Sequence, residues 1–192
     1  MFLDADGCKK IYVFYYNGSD AGTLKEQAYN SAYFDPEKDE VIMVEVNTKE
    51  DFVKKWNAMD DDVDEVYLYL HGEPGSLCFR DGNLTFDDDS GGYTFGDLHS
   101  KNVKKVFLFS CGGGTGEEGN NVAWMFAKLT GGEVVATTSG VSYTKVGGKY
   151  EARVEKSDFF KRSSGWGTYS YKKNKKGVSV PKRKWTTRKW AI

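Results

Sequence analysis

The chain has 192 residues, 27 of them basic and 28 acidic, for a formal net charge of -1; this size suits one domain, or a domain and a tail, and excludes a large multidomain machine. With 39% hydrophobic and 15% aromatic residues and three prolines, the composition supports a packed core and lacks the bias of a disordered chain. No run approaches the ~18 apolar residues of a membrane span, and the stretch Met1 to Asp6 lacks the basic-then-apolar order of an export signal.

The near-neutral total conceals a split. Divided at Tyr150, residues 1–150 hold 14 basic and 25 acidic side chains, a sum of -11, whereas residues 151–192 hold 13 and 3, a sum of +10. The expected organisation is an acidic core over 1–150 and a basic hairpin or tail over 151–192 packed on the same domain. Such asymmetry points to an anionic partner, or to docking of the basic segment on the acidic body. The three cysteines, Cys8, Cys78 and Cys111, are too scattered for a disulfide framework or for the close pairs of a zinc site, so a reducing compartment such as the cytoplasm is expected.

In chain order, Ile11 to Tyr16, Glu40 to Val46, Val66 to Leu70, Val106 to Phe109 and Val134 to Thr138 are short, nearly continuous apolar or aromatic runs. Strands buried on both faces of a parallel sheet have this pattern. Thr23 to Tyr33 is expected to be helical. Asn47-Thr48-Lys49-Glu50 offers a cap, followed by Phe52, Val53, Trp56 and Met59 at helical spacing. A further helix, starting near Glu117, carries Val122, Ala123, Phe126 and Leu129 and ends at Gly131-Gly132. Between the third and fourth strands, Leu77 to Phe86 around Asp81-Gly82 predicts an inserted hairpin, Asp87 to Gly92 a solvated loop, and Phe95 to Leu98 a short helix. From Tyr143 onward, glycine-punctuated pieces predict antiparallel structure, with Gly165 to Tyr171 the best strand. The predicted class is α/β: a three-layer sandwich whose mostly parallel sheet is flanked by helices, with the inserted hairpin and a basic antiparallel hairpin near the C-terminus.

In open α/β sheets, sites form at the carboxyl ends of strands. Two of the predicted strands run into His71-Gly72 and into Ser110-Cys111-Gly112-Gly113-Gly114. If they are adjacent and parallel, their ends lie about 5 Å apart. A thiol with a pKa of about 8.5 is mostly protonated at neutral pH, and a neighbouring imidazole raises its reactive thiolate fraction. Glycines on both sides admit a substrate backbone and free N–H groups toward an oxyanion. His71 and Cys111 are therefore the expected catalytic pair; the ordinary reading of each alone, a structural histidine and a small buried hydrophobe, is outweighed by their joint placement. His99, in a polar helical stretch, and Cys78, in the hairpin, read as structural. Cys111-Gly-Gly-Gly-Thr-Gly lacks the Gly-Lys-Ser/Thr ending of a phosphate loop and has Glu117 where Gly-x-Gly-x-x-Gly needs its last glycine. The runs Asp60-Asp61-Asp62 and Asp87-Asp88-Asp89 lack EF-hand spacing, and no metal is expected.

An apolar strand ending in His-Gly, an insertion, and an apolar strand ending in Ser-Cys-Gly together resemble the caspase-like clan of cysteine peptidases. In size and layout the chain is most similar to the autoprocessing domains of large bacterial toxins. The resemblance runs from Ile11 to Tyr171 and includes Phe95-Gly96-Asp97-Leu98, Trp124-Met125-Phe126, and Val134 to Gly140. It implies a dyad in which Cys111 attacks the scissile carbonyl and His71 protonates the leaving amine, with the N–H groups of Gly72 and Cys111 as oxyanion hole and no required cofactor. It implies a polypeptide substrate, which includes the chain itself, bound as an added strand along Thr137 to Tyr143, and delivery as part of a larger secreted protein. Phe-Ser-Cys-Gly-Gly replaces the caspase Gln-Ala-Cys motif, so no aspartate preference carries over. Lys172, Lys173, Lys175, Lys176, Lys182, Arg183, Lys184, Arg188 and Lys189, with Trp185 and Trp190, suit an anionic partner. The resemblance implies inositol hexakisphosphate as an allosteric activator there, and nucleic acid is not expected. A reading of a different class is a catalytically silent α/β binding module whose basic tail recruits an anion.

Overall fold

The computed structural model describes residues 8–18, 24–88, 90–155 and 165–186. Met1 to Asp6, Thr23, Asp89, Arg188, Lys189 and Trp190, all used in the sequence reading, lie outside the described residues. The five apolar runs are strands β1 (Lys10–Tyr16), β2 (Glu40–Val46), β3 (Asp62–Tyr69), β7 (Asn102–Phe109) and β8 (Glu133–Thr137). They form the parallel part of a seven-stranded mixed sheet of order β12-β11-β8-β7-β3-β1-β2, in which β11 (Trp166–Lys173) and β12 (Ser179–Thr186) run antiparallel at one edge.

The class is α/β, with a central sheet between two covering layers, as the alternation of the sequence predicts. Period-two alternation sorts the side chains. Tyr12, Phe14, Tyr16, Val66, Leu68, Val106 and Leu108 face one core with helices α2 (Lys49–Ala58) and α3 (Val122–Thr130). Ile11, Val13, Tyr15, Tyr67, Tyr69, Phe107 and Phe109 face the other, beneath α1 (Leu24–Tyr29) and a hairpin of β9 (Val141–Val146) and β10 (Lys149–Val154). Strands β3 and β7 begin earlier than their apolar runs because their first residues alternate with exposed polar ones.

Local signals act where expected. Thr48 caps α2, its Oγ1 accepting from Asp51 N–H at 3.0 Å. Helix α3 is capped by Asn121, not begun near Glu117, and ends at Gly131 in the left-handed region. The predicted hairpin is β5 (Ser76–Phe79) and β6 (Gly82–Leu84), but a third strand, β4 (His71–Glu73), completes a small sheet that the apolar-run criterion misses. The helix expected at Phe95 is one 3₁₀ turn over Phe95–Asp97. In the expected solvated loop, Asp88 instead accepts from Lys49 Nζ at 3.1 Å and is only 12% exposed. Strand β10 crosses Tyr150, so the charge division at that residue falls within a strand.

The β9–β10 hairpin is fastened by Tyr33, whose hydroxyl donates to Ala152 O and accepts from Ala152 N–H. Its ring centroid is 4.8 Å from that of Phe109. Burial pushes the Tyr33 phenol up to about 12. The folded chain therefore holds that proton more tightly than the unfolded chain, where it leaves near pH ~10. This contribution to stability is complete below pH ~10 and is lost as pH rises toward about 12. Urea denaturation across that range is expected to reveal the decline, with a smaller slope in Tyr33→Phe. Leu68, fully buried in β3, anchors the other core, and Leu68→Ala is expected to cost about 2–5 kcal/mol, read as a lower urea midpoint at unchanged m-value.

Candidate active site

Strands β3 and β7 are adjacent, parallel and in register, with Tyr69 opposite Phe109. Two residues beyond that pair come His71 and Cys111, both past the carboxyl edge of the sheet. Gly72 touches the same turn: a Cβ placed there would lie 2.9 Å from Ser110 Cβ and 3.0 Å from Cys111 O. The structure thus brings together His71, Gly72 and Cys111. It does not bring in His99, whose backbone N–H and C=O bond Asn57 Oδ1 and Trp56 Nε1; this residue lies just past the 3₁₀ turn and not in a helix.

The loop after Cys111 is tied on every side. Gly112 N–H donates to Ser139 O at 3.0 Å and Gly114 N–H to Thr137 O at 2.9 Å, while Thr115 Oγ1 donates to Thr138 O. Gly113 O accepts from Ala123 N–H in the first turn of α3. Gly114 O accepts from Asn121 Nδ2 and from the Tyr169 hydroxyl of β11. These carbonyls are committed to α3 and β11, and the N–H groups of Gly112 and Gly114 to the segment following β8. The Cys111 N–H takes no backbone partner among the described residues, which leaves it for an incoming oxygen. Gly112 sits at φ +67°, and a Cβ there would come within 2.9 Å of Pro74 N, so glycine closes this turn against the segment that follows Gly72.

The thiol of Cys111 accepts a hydrogen bond from Val141 N–H at 3.3 Å, which fixes the sulfur against the start of β9. The His71 ring stands edge-on to Tyr16, with centroids 5.6 Å apart, and its Nε2 is buried without a hydrogen-bond partner. No direct bond joins imidazole to thiol in this state. Catalytic hydrogen bonds often tighten only once substrate is bound. Ser110 Oγ and Ser139 Oγ, beside the thiol and at the start of the β8–β9 connection, are likewise buried and without partners. The site therefore holds polar atoms whose bonding capacity is unspent.

Cys78 lies across from His71 on the neighbouring strand β5. Burial pushes its thiol up, with the carboxylate of Glu73 and Cys111 adding in the same direction. Its thiol is thus held in the protonated, less reactive form. Neither Cys78's place nor those of Val141, Tyr16 and Ser139 is readable from sequence, because each depends on a contact between distant segments. Among the described residues no cluster of three metal-ligating side chains occurs. A shallow groove of about 310 Å3 lies elsewhere, between β2 and α2, lined by Tyr12, Met43, Val44, Glu45, Lys55 and Met59.

The basic segment forms β11 and β12, and its docking is apolar. Trp124 of α3 meets Tyr169 and Tyr171 edge-on at 5.3 and 5.4 Å, and β11 pairs with β8. Arg183 stacks 4.9 Å above the Trp185 ring. Among the described residues, none of Lys172, Lys173, Lys175, Lys176, Lys182, Arg183 and Lys184 makes an ion pair with the acidic body. No helix is long and apolar enough to cross a membrane.

Comparison with protein-family models and with curated proteins finds no match to this chain. Gly112→Ala is expected to lower stability by about 1–3 kcal/mol through its left-handed φ and the approach to Pro74, measured as a fall in thermal midpoint.

Proposed function

We propose that this chain is a caspase-like cysteine endopeptidase acting through Cys111 and His71. The observation that supports the reading is the in-register pairing of β3 with β7, together with the approach of Gly72, next to His71, to Ser110 and Cys111. In the proposed reaction, Cys111 Sγ attacks the scissile carbonyl carbon as a thiolate, and the N–H groups of Gly72 and Cys111 receive the oxyanion. The tetrahedral adduct collapses to a thioester as the C–N bond breaks, and the leaving amine takes its proton from His71. Water, deprotonated by His71, then attacks the thioester and releases the acid and the thiol.

Two further features support it. The hydrogen bond from Val141 N–H fixes the position of the Cys111 sulfur. The outer edge of β9 carries no strand partner among the described residues, so an extended peptide can add there as a strand. The substrate class is polypeptide, the chain itself included, and no metal takes part in the scheme.

A second reading concerns the hairpin. Its exposed cations, without ion-pair partners among the described residues, favour an anionic ligand, and inositol hexakisphosphate is the proposed one. It serves as an activator of the peptidase, or as the ligand of a catalytically silent module.

A mechanism-type thiol probe is expected to label Cys111 selectively at pH 7 and to lose at least about tenfold in rate in His71→Ala. Equal labelling of Cys8, Cys78 and Cys111 would refute the dyad. Inositol hexakisphosphate at millimolar concentration is expected to raise the thermal midpoint, since a ligand of the folded state stabilises it; an unchanged midpoint removes that ligand.

A further inference from the structure

The seven-stranded sheet ends on β2 at one side and on β12 at the other. Among the described residues β2 pairs only with β1. Glu40 N–H donates to Lys9 O, so by alternation the N–H and C=O groups of Val41, Met43 and Glu45 point away from β1. Lys55 Nζ, reaching over from α2, donates to Glu45 O at 2.6 Å, which leaves that carbonyl a second lone pair. No protein group among the described residues bonds the outward N–H and C=O of Val41 and Met43. The side chains show the same lack of cover: Val41, Ile42, Met43 and Val44 are partly exposed, whereas their neighbours Ile11 to Phe14 in β1 are buried.

An apolar edge strand recruits another strand unless charge, proline or a bulge guards it. Strand β12 is guarded, with Pro181, Lys182, Arg183 and Lys184 in succession. Strand β2 has no proline and no basic residue, and it complements itself. In an antiparallel pairing about Met43, Ile42 stands opposite Val44 of the partner, Val41 opposite Glu45, and Glu40 opposite Val46. No acid then faces an acid, and the two glutamates project from opposite faces of the sheet. The outward groups of Met43 meet those of its counterpart, and the outward groups of Val41 meet those of Glu45, so all of them are bonded. A slip by one residue sets outward groups against inward ones, and a slip by two leaves strand ends unpaired. The groove between β2 and α2, lined by Val44, Lys55, Ala58 and Met59, opens beside this edge, on the face where Ile42 of the partner stands. Such self-complementarity selects a second copy of the chain as the occupant.

We propose that β2 is the interface of a two-fold homodimer, in which two copies pair β2 antiparallel about Met43 and join their sheets into one. The partner's strands run the opposite way, so its candidate active site opens at the opposite end of the joined sheet and neither site is covered. The assignment is independent of the peptidase reading. A ladder roughly 23 Å long, with its flanking side chains, belongs with the smaller interfaces, and association is expected in the micromolar range.

Sedimentation velocity of the full chain from about 1 to about 300 μM is expected to show monomer giving way to dimer. Hydrogen–deuterium exchange at the two ends of that range is expected to show added protection in peptides covering residues 40–46 and none in those covering β12. Met43→Lys sets two ammonium groups across the axis and is expected to weaken association at least about tenfold. Val41→Pro removes an outward N–H while sparing the pairing with β1 and is expected to do the same, with the thermal midpoint of each variant monitored to show that it is folded. Val180→Lys, on the other edge, is expected to leave association unchanged. A chain that stays monomeric throughout overturns the proposal. So does a dimer whose added protection falls on β12, or one that resists both β2 substitutions but yields to Val180→Lys.

Discussion

The parallel pairing of β3 with β7 is the constraint from which the rest of the site follows. At the middle of the sheet the pairing is reinforced by face-to-face stacking of Tyr67 on Phe107, with centroids 4.5 Å apart and planes within 3°. Because side chains alternate with a period of two, slipping one strand by a single residue would turn every buried aromatic toward the wrong core. The two layers of packing therefore hold the register, and the register carries His71 and Cys111 to the same level at the sheet edge. The pairing that stabilises the core thereby also positions the proposed chemistry.

Around that edge, the irregular segments derive their shape from the regular ones. The glycine turn after Cys111 has no helix or strand of its own, yet it is bonded to the end of β8, the start of α3 and the middle of β11. Three elements thus hold one short loop. Its rigidity lets Cys111 keep a fixed position without a neighbouring side chain to support it, as a pre-organised site requires. The β9–β10 hairpin adds the N–H group that meets the thiol, and Tyr33 and Tyr143 hold it down: the hydroxyl of Tyr143 donates to Phe109 O at 3.1 Å, at the end of the strand that carries the nucleophile.

Electrostatics organises the surface more than the fold. The acidic body and basic hairpin attract one another in principle, but the hairpin is seated by a strand ladder and by tryptophan and tyrosine rings. Exposed ion pairs contribute little beside such burial. Its lysines and Arg183 are consequently left facing solvent, and among the described residues the acidic body and the basic hairpin, whose charges cancel to -1 over the chain, make no ion pair with each other.

The parallel strands and two of the longer helices are legible in the sequence because their signals are local. An apolar run, a Thr48 cap, and a glycine after the last helical turn each report on a few neighbouring residues, whereas the Asn121 cap of α3 does not stand out from the sequence. His71 and Cys111 are legible for the same reason, since each follows directly from a strand. Strand β4 is not, because His71-Gly72-Glu73 has no apolar pattern and becomes a strand only by pairing with β5. The β9–β10 hairpin is anticipated only as antiparallel structure, for Val141 to Val146 is half exposed and its alternation weak.

By itself, then, the sequence determined the class of fold, the strand ends from which the two candidate catalytic residues emerge, and the uneven distribution of charge. Those properties depend on side-chain type and short-range spacing. Only the tertiary structure decided that β3 and β7 are neighbours in register, that Cys78 lies across from His71, and that Val141 meets the thiol. Each of these joins residues far apart in the chain through backbone pairing, and backbone pairing leaves no mark on either partner's sequence.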